Sequence, residues 1–240
     1  MNAPIRRFDG PRPDPARGVF ETLLVSGGRP VAIEDHLGRL GASVAALYDL
    51  GLPDSAAAEI ERGAALLELG RLRLDVAPDG ALSVTTAEID PAILFPREGL
   101  ELTPVEVPGG IGAHKWADRR LIEAAEESVG SPLLVDPGDE APLEGSRSNL
   151  FVVAGGTLVM PPCDGRLLPG TTRAHVLEVA RELGLDPREE RVDLAAADEV
   201  FLSGAVRGVQ AVVRCESVGD WDSGEITARV GAELRSLWLD

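Results

Sequence analysis

Lysine is all but missing from this sequence: of its 23 basic residues one, Lys115, is a lysine and the other 22 are arginines. The bias points to mutational pressure that replaced lysine wherever arginine would serve. Arginine carries a delocalised guanidinium that stays protonated, whereas a desolvated lysine amine can lose its proton and attack a carbonyl. A solitary lysine is therefore either a survivor on a solvated face or a residue whose chemistry arginine cannot copy, and the count alone does not decide. Cysteine is scarce too. Cys163 and Cys215 lie far apart, match no metal spacing and are too few for a disulfide scaffold, so both read as structural thiols. Positive charge is in deficit: the formal net charge of −17 disfavours nucleic acid and anionic membrane as partners, because phosphate contacts need clustered Lys and Arg. An anionic ligand would need a local island of arginines and helix N-termini. No stretch reaches the roughly 18 uninterrupted apolar residues of a membrane span. The first fifteen residues hold five prolines or glycines and no apolar core of signal-peptide length, so a cytoplasmic location is expected. Repeats and low-complexity segments are absent.

What is present is ordinary for a folded globular chain. Its 240 residues suffice for one large domain or two small ones, with 44% hydrophobic and 26% charged residues. Residues 19–25 predict a strand, Ser26-Gly27-Gly28-Arg29 a tight turn and 30–33 a short returning strand. From Glu34, Leu37, Leu40, Val44 and Leu47 recur at helical spacing, and a second helix is expected over 54–69. Residues 71–76 and 81–87 pair around Pro78-Asp79-Gly80, and 100–107 adds a strand. Pro108-Gly109-Gly110-Ile111-Gly112 reads as a connector, giving an N-terminal α/β domain over 1–108 and a second domain over 109–240. Beyond it we expect helices over 116–128, 171–183 and 223–237. Strands are expected over 132–136, 149–153 and 157–160, near 190–192, and over 199–202 and 209–213. Lys115 then sits just before a helix or in its first turn.

Three motifs carry chemistry. Leu168-Pro169-Gly170-Thr171-Thr172-Arg173 places a turn before a periodic helix, where free backbone N–H groups and the macrodipole suit a phosphate; alternatively Thr171 or Thr172 simply caps the helix. Glu144-Gly145-Ser146-Arg147-Ser148-Asn149-Leu150-Phe151 runs from an acidic residue into a strand. Its Glu144 is either a solvated loop residue or a carboxylate able to hold a pyridine nitrogen protonated. In His36-Leu37-Gly38-Arg39-Leu40, His36 and Arg39 lie three apart, off the apolar stripe, so Arg39 can reach an anion or simply face solvent.

Together, FET, HLGRL, a lysine, E-G-x-x-S-N-L-F, L-P-G-x-T-R and a late F-L-S-G resemble the fold type IV pyridoxal 5′-phosphate (PLP) enzymes. This superfamily includes branched-chain and D-amino acid aminotransferases and aminodeoxychorismate lyases, and the resemblance covers about residues 18–213. It implies two small mixed α/β domains with the cofactor at their junction. By the same resemblance Lys115 is the Schiff-base lysine and proton carrier, Arg39 a phosphate ligand and Glu144 the partner of the pyridine nitrogen, with Asn149 beside it. Thr171, Thr172, Ser203, Gly204 and Ala205 complete the phosphate seat, Ala205 standing where relatives often carry threonine. Within the superfamily, His114-Lys115-Trp116-Ala117-Asp118-Arg119-Arg120 and Ser203-Gly204-Ala205-Val206-Arg207-Gly208 look most like aminodeoxychorismate lyase. So does the approach to Phe20 without the usual aromatic-Gly-Asp-Gly run. The lyase converts 4-amino-4-deoxychorismate to 4-aminobenzoate and pyruvate, with Arg207 and Arg119 as candidate cations for its anionic, dicarboxylate substrate. The resemblance further implies a homodimer and an aminodeoxychorismate synthase as the supplier of substrate. The alternatives are a class IV aminotransferase and, on the strength of Ala205 and the short start, a non-catalytic relative acting as a binding module.

Overall fold

Alternation along the first long strand puts Val19, Glu21, Leu23 and Val25 on one face and Phe20, Thr22 and Leu24 on the other. That two-sided burial organises the molecule. The computed structural model describes residues 5–8 and 10–239. Its first part runs through β1 (Arg6–Arg7), β2 (Val19–Ser26), β3 (Arg29–Pro30), α1 (Ile33–Tyr48), α2 (Ala56–Ala64), β4 (Leu69–Val76) and β5 (Leu82–Glu88). Strands β3-β2-β4-β5 form an antiparallel sheet. Val19, Leu23 and Val25 pack with Leu72 and Leu74 of β4 against Leu40 and Val44 of α1 and Ile60 of α2. The second helix is shorter than its sequence pattern suggests, because Leu69 pairs with Ser26 and opens β4 instead.

The rest comprises β6 (Leu100–Glu106), α3 (Arg120–Val129), β7 (Pro132–Asp136), β8 (Ala141–Gly145), β9 (Ser148–Ala154), β10 (Thr157–Met160), α4 (Thr171–Glu182), β11 (Arg188–Glu189), β12 (Glu199–Gly204), β13 (Gly208–Cys215), β14 (Gly219–Asp220) and α5 (Glu225–Leu239). Strands β6, β7, β8, β9, β12 and β13 pair in that order, and β13 pairs back onto β6, closing a barrel. Closure removes the exposed edges that an open sheet of this length would present. Alternation sorts its residues: Leu150, Val152, Val200 and Leu202 fill the interior with Leu102 and Val212. Phe151 and Phe201 point outward and stack at 4.9 Å under α4 and α5. Leu24, from the far face of β2, joins that outer cluster, so one strand contributes to both cores. Sheet membership changes between Glu88 and Leu100, upstream of the glycine-rich connector.

The expected helix over 116–128 begins only at Arg120. Residues 115–117 run beside β2 instead: Phe20 N–H donates to Lys115 O at 2.9 Å and Ala117 N–H to Gly18 O at 3.0 Å. Lys115 is thus held in extended chain rather than in a helical turn. The short strand expected near 190–192 lies at Arg188–Glu189, paired with β10. Among the described residues no helix is long and apolar enough to cross a membrane. Cys163 and Cys215 are both free thiols, the second buried in the barrel.

Candidate active site

A cleft opens where the β2 sheet meets the barrel. Its walls come from α1 (Arg39), the 111–119 segment (Lys115, Arg119), the β8–β9 hairpin (Glu144, Asn149), the start of α4 (Thr171, Thr172) and the end of β12 (Ser203, Gly204, Ala205). Ten of the eleven residues singled out from the sequence therefore converge on one cavity. Arg207 does not line it: its side chain is exposed and bonds Gln210 Oε1 at 3.3 Å.

Lys115 projects from the extended segment, with its Nζ 5.0 Å from the Phe20 ring centroid. Burial of its amine end, with help from the nearby Arg39 and Arg119, outweighs the pull of Glu21 and Glu144 and lowers its pKa to about 8. That raises the free-amine fraction at neutral pH roughly 300-fold over an ordinary lysine. Glu144 lies within β8, not in a solvated loop, and is 6% exposed. Burial pushes its carboxyl up to about 8, against the Leu168 N–H and the cations Lys115, Arg119 and Arg39. Asn149 steadies it: its Nδ2 donates to Leu168 O at 2.8 Å and, more weakly, to Glu144 Oε2 at 3.4 Å.

The start of α4 discriminates between the two sequence readings of the threonines. The N-cap is Gly170, no side chain caps the helix, and Thr171 and Thr172 occupy its first turn with their N–H groups unused by a cap. A Cβ at Gly170 would stand 1.9 Å from Asn149 Oδ1, so any side chain there would have to displace the Asn149 amide. Across the cleft, Ser203 Oγ is buried without a hydrogen-bond partner. An orphaned hydroxyl and an uncapped helix end facing one cavity fit an anionic group there. Arg39 completes that side, its Nη1 donating to Pro169 O at 3.0 Å.

Two residues of this neighbourhood are not apparent from the motifs as chemistry. Glu21 binds Arg39 through both its oxygens, at 2.7 Å each, and accepts from His36 Nδ1 at 2.7 Å. His36, expected off the apolar stripe, is buried on the same face of α1 as Leu40 and Val44. The signal was available: alternation along β2 sets Glu21 in an otherwise apolar row. Arg119 Nη2 donates to Ser146 O at 2.9 Å; burial first, then the neighbouring Arg147, brings its pKa down to about 10. Arg147 at the rim is held by Glu126 through two bonds of 2.7 Å.

The model of the amino-transferase class IV family matches residues 116–215. The branched-chain-amino-acid aminotransferase of Escherichia coli (strain K12) is 39% identical over 92 residues, 36% of this chain and 30% of that protein. The match thus spans about a third of the length of the curated relatives. A hypothetical aminotransferase from Mycobacterium tuberculosis, in a form with alpha-ketoglutarate and PMP bound, superposes with a TM-score of 0.81 at 25% identity, covering 93% of this chain and 89% of that one. The 4-amino-4-deoxychorismate lyase from Pseudomonas aeruginosa gives 0.75 at 28% identity, covering 92% and 91%. Residues 116–215 thus match the amino-transferase class IV family model, and the chain has the α/β architecture of the fold type IV PLP enzymes.

Proposed function

We propose that this protein is a PLP-dependent aminodeoxychorismate lyase. The observation that carries the reading is the charge of the cleft. In a chain of net charge −17, Arg39, Lys115, Arg119 and Arg147 line one cavity with a single lining carboxylate, Glu144; Arg39 is paired behind it with Glu21 and Arg147 at the rim with Glu126, while Arg119 bonds a backbone carbonyl. The apolar lining is thin, chiefly Ile111 and Leu168, which suits a dicarboxylate better than a branched aliphatic side chain.

PLP, when bound, supplies an aldehyde that condenses with an amine and a ring that accepts the electron pair of a broken C–H bond. The residues present fit it. Arg39, the first turn of α4 and the Ser203-Gly204-Ala205 segment would hold the phosphate, with the unpartnered Ser203 Oγ as a hydroxyl donor where Ala205 has none. Glu144, steadied by Asn149, would hold the pyridine nitrogen, whose protonation would favour the ionised carboxylate that burial alone disfavours. Lys115 would hold the aldehyde end of the cofactor, and its amine would be free to move protons once the substrate amine takes that place. Its freed Nζ takes the proton from the ring carbon that bears the nitrogen. The same Nζ returns a proton to the methylene of the departing enolpyruvyl group, which leaves as pyruvate while the ring becomes aromatic. Arg119 holds a substrate carboxylate, with Arg147 at the rim; Arg207 is too remote in this chain for that part. A cytoplasmic homodimer, supplied by an aminodeoxychorismate synthase, completes the proposal.

Transamination is the second reading, favoured by the aminotransferase names of the relatives above. The two are separated by incubating the protein with PLP and 4-amino-4-deoxychorismate. The lyase yields 4-aminobenzoate and pyruvate without a keto-acid acceptor, while an aminotransferase requires 2-oxoglutarate and forms glutamate.

A further inference from the structure

Behind the anion side of the cleft lies a buried polar chain that the proposed chemistry does not use. Glu21 stands on β2 in line with Val19, Leu23 and Val25, all sealed against α1 and α2. A carboxylate there is costly unless its oxygens are bonded. They are: Oε1 accepts from Arg39 Nε, and Oε2 accepts from Arg39 Nη2 and His36 Nδ1. Burial works against the charge, yet these bonds hold Glu21 down at about 2, fully ionised. An ionised carboxylate can only accept, so His36 Nδ1 carries a hydrogen. Burial also lowers the proton affinity of His36, leaving Nε2 a bare acceptor. Thr171 Oγ, 3.3 Å away, must therefore donate to it.

Two consequences follow for the anion side. The Nε and Nη2 edge of Arg39 is committed to Glu21 and Nη1 to Pro169 O, which fixes the guanidinium plane. The hydroxyl hydrogen of Thr171 is committed to His36, so Thr171 offers a ligand only its backbone N–H, and hydroxyl donation falls to Thr172. We propose that Glu21 and His36 are positioning residues for the phosphate seat: Glu21 orients Arg39, and His36 ties that pair across the domain junction to the start of α4. Halves of the seat carried by different sheets are thereby held in register before the ligand arrives, the condition for tight anion binding.

The inference rests on the PLP reading, and the test separates them. Dissociation constants for PLP and for pyridoxal, which lacks the phosphate, are measured for the wild type, Glu21→Gln and His36→Asn, with borohydride reduction and mass spectrometry reporting the bond to Lys115. In Glu21→Gln we expect the PLP constant to rise about 10- to 100-fold, the effect of losing a charge-assisted bond. The pyridoxal constant should stay within about threefold, and His36→Asn should show the same selectivity at about tenfold. Equal weakening of both ligands, or no change in either, overturns the inference. If Glu21→Gln shows no folded baseline in thermal melting, His36→Asn, which keeps the Glu21–Arg39 pair, decides by the same ratio. A wild type that captures neither ligand overturns the PLP reading and this inference with it; capture of both ligands, with the variants unchanged, overturns the inference alone.

Discussion

Glu144 gives the sharpest quantitative prediction for the cofactor-free protein. Its carboxyl titrates at 4.5 in ordinary surroundings and at about 8 in the folded cleft, where burial is the leading cause. Between those values the unfolded chain has released a proton that the folded protein still holds. Stability changes with pH as the difference in bound protons, unfolded minus folded, which is negative here, so Glu144 makes folding less favourable as pH rises. Its contribution is fully present below pH 4.5 and is lost by about pH 8. The steepest slope is about −1.4 kcal/mol per pH unit, and the whole window is worth at most on the order of 5 kcal/mol. That is comparable with the lower end of the total stability of a domain, so it is measurable. Glu144→Gln keeps an acceptor for Leu168 N–H and removes the titration. Urea unfolding of both proteins from pH 5 to pH 8, without PLP, gives the difference curve. The wild type should lose stability relative to Glu144→Gln across that range, and PLP should flatten the loss. Parallel curves would refute the claim that this carboxyl is held neutral by its surroundings.

Other consequences are equally open to measurement. Because burial brings Lys115 down to about 8, the rate at which cofactor-free protein captures pyridoxal should rise with pH, reach half its maximum near 8 and level off about a unit above; a midpoint near 10.5 would mean an ordinary lysine. Gly170→Ala places a methyl group where Asn149 Oδ1 stands, so it should cost about 1–3 kcal/mol of stability in denaturant titration and weaken PLP binding. Arg119→Ala should raise KM at least about tenfold by removing a charged hydrogen-bond donor, while Arg207→Ala should stay within about twofold; steady-state kinetics would detect the reverse order.

Much of the site was legible in the sequence because its chemistry sits in short linear motifs at the ends of regular elements. Arg39, Glu144 and Thr171 lie on a helix, a strand and a helix start that bring them to one cavity with Lys115. Less legible was what depends on distant backbone. Residues 116–119 have helical composition, yet hydrogen bonds to Phe20 and to Gly18, just before β2, keep the start of that segment extended. Strand β8 was hidden by Pro142 and by the left-handed turn at Glu140, φ 56°, and is fixed by pairing with β7 and β9. The closure of β13 onto β6 joins segments about a hundred residues apart in parallel, which no local periodicity announces. Glu21 and His36 were readable in part: alternation puts a carboxylate in an apolar row, but only the fold reveals that the imidazole and guanidinium of α1 meet it there.

Purified protein is loaded with PLP and given 4-amino-4-deoxychorismate with no keto acid, and 4-aminobenzoate is followed by its fluorescence alongside pyruvate. We predict equimolar 4-aminobenzoate and pyruvate, abolished in Lys115→Ala. No 4-aminobenzoate above the enzyme-free control, with glutamate formed once 2-oxoglutarate is added, would contradict the lyase reading and make this an aminotransferase.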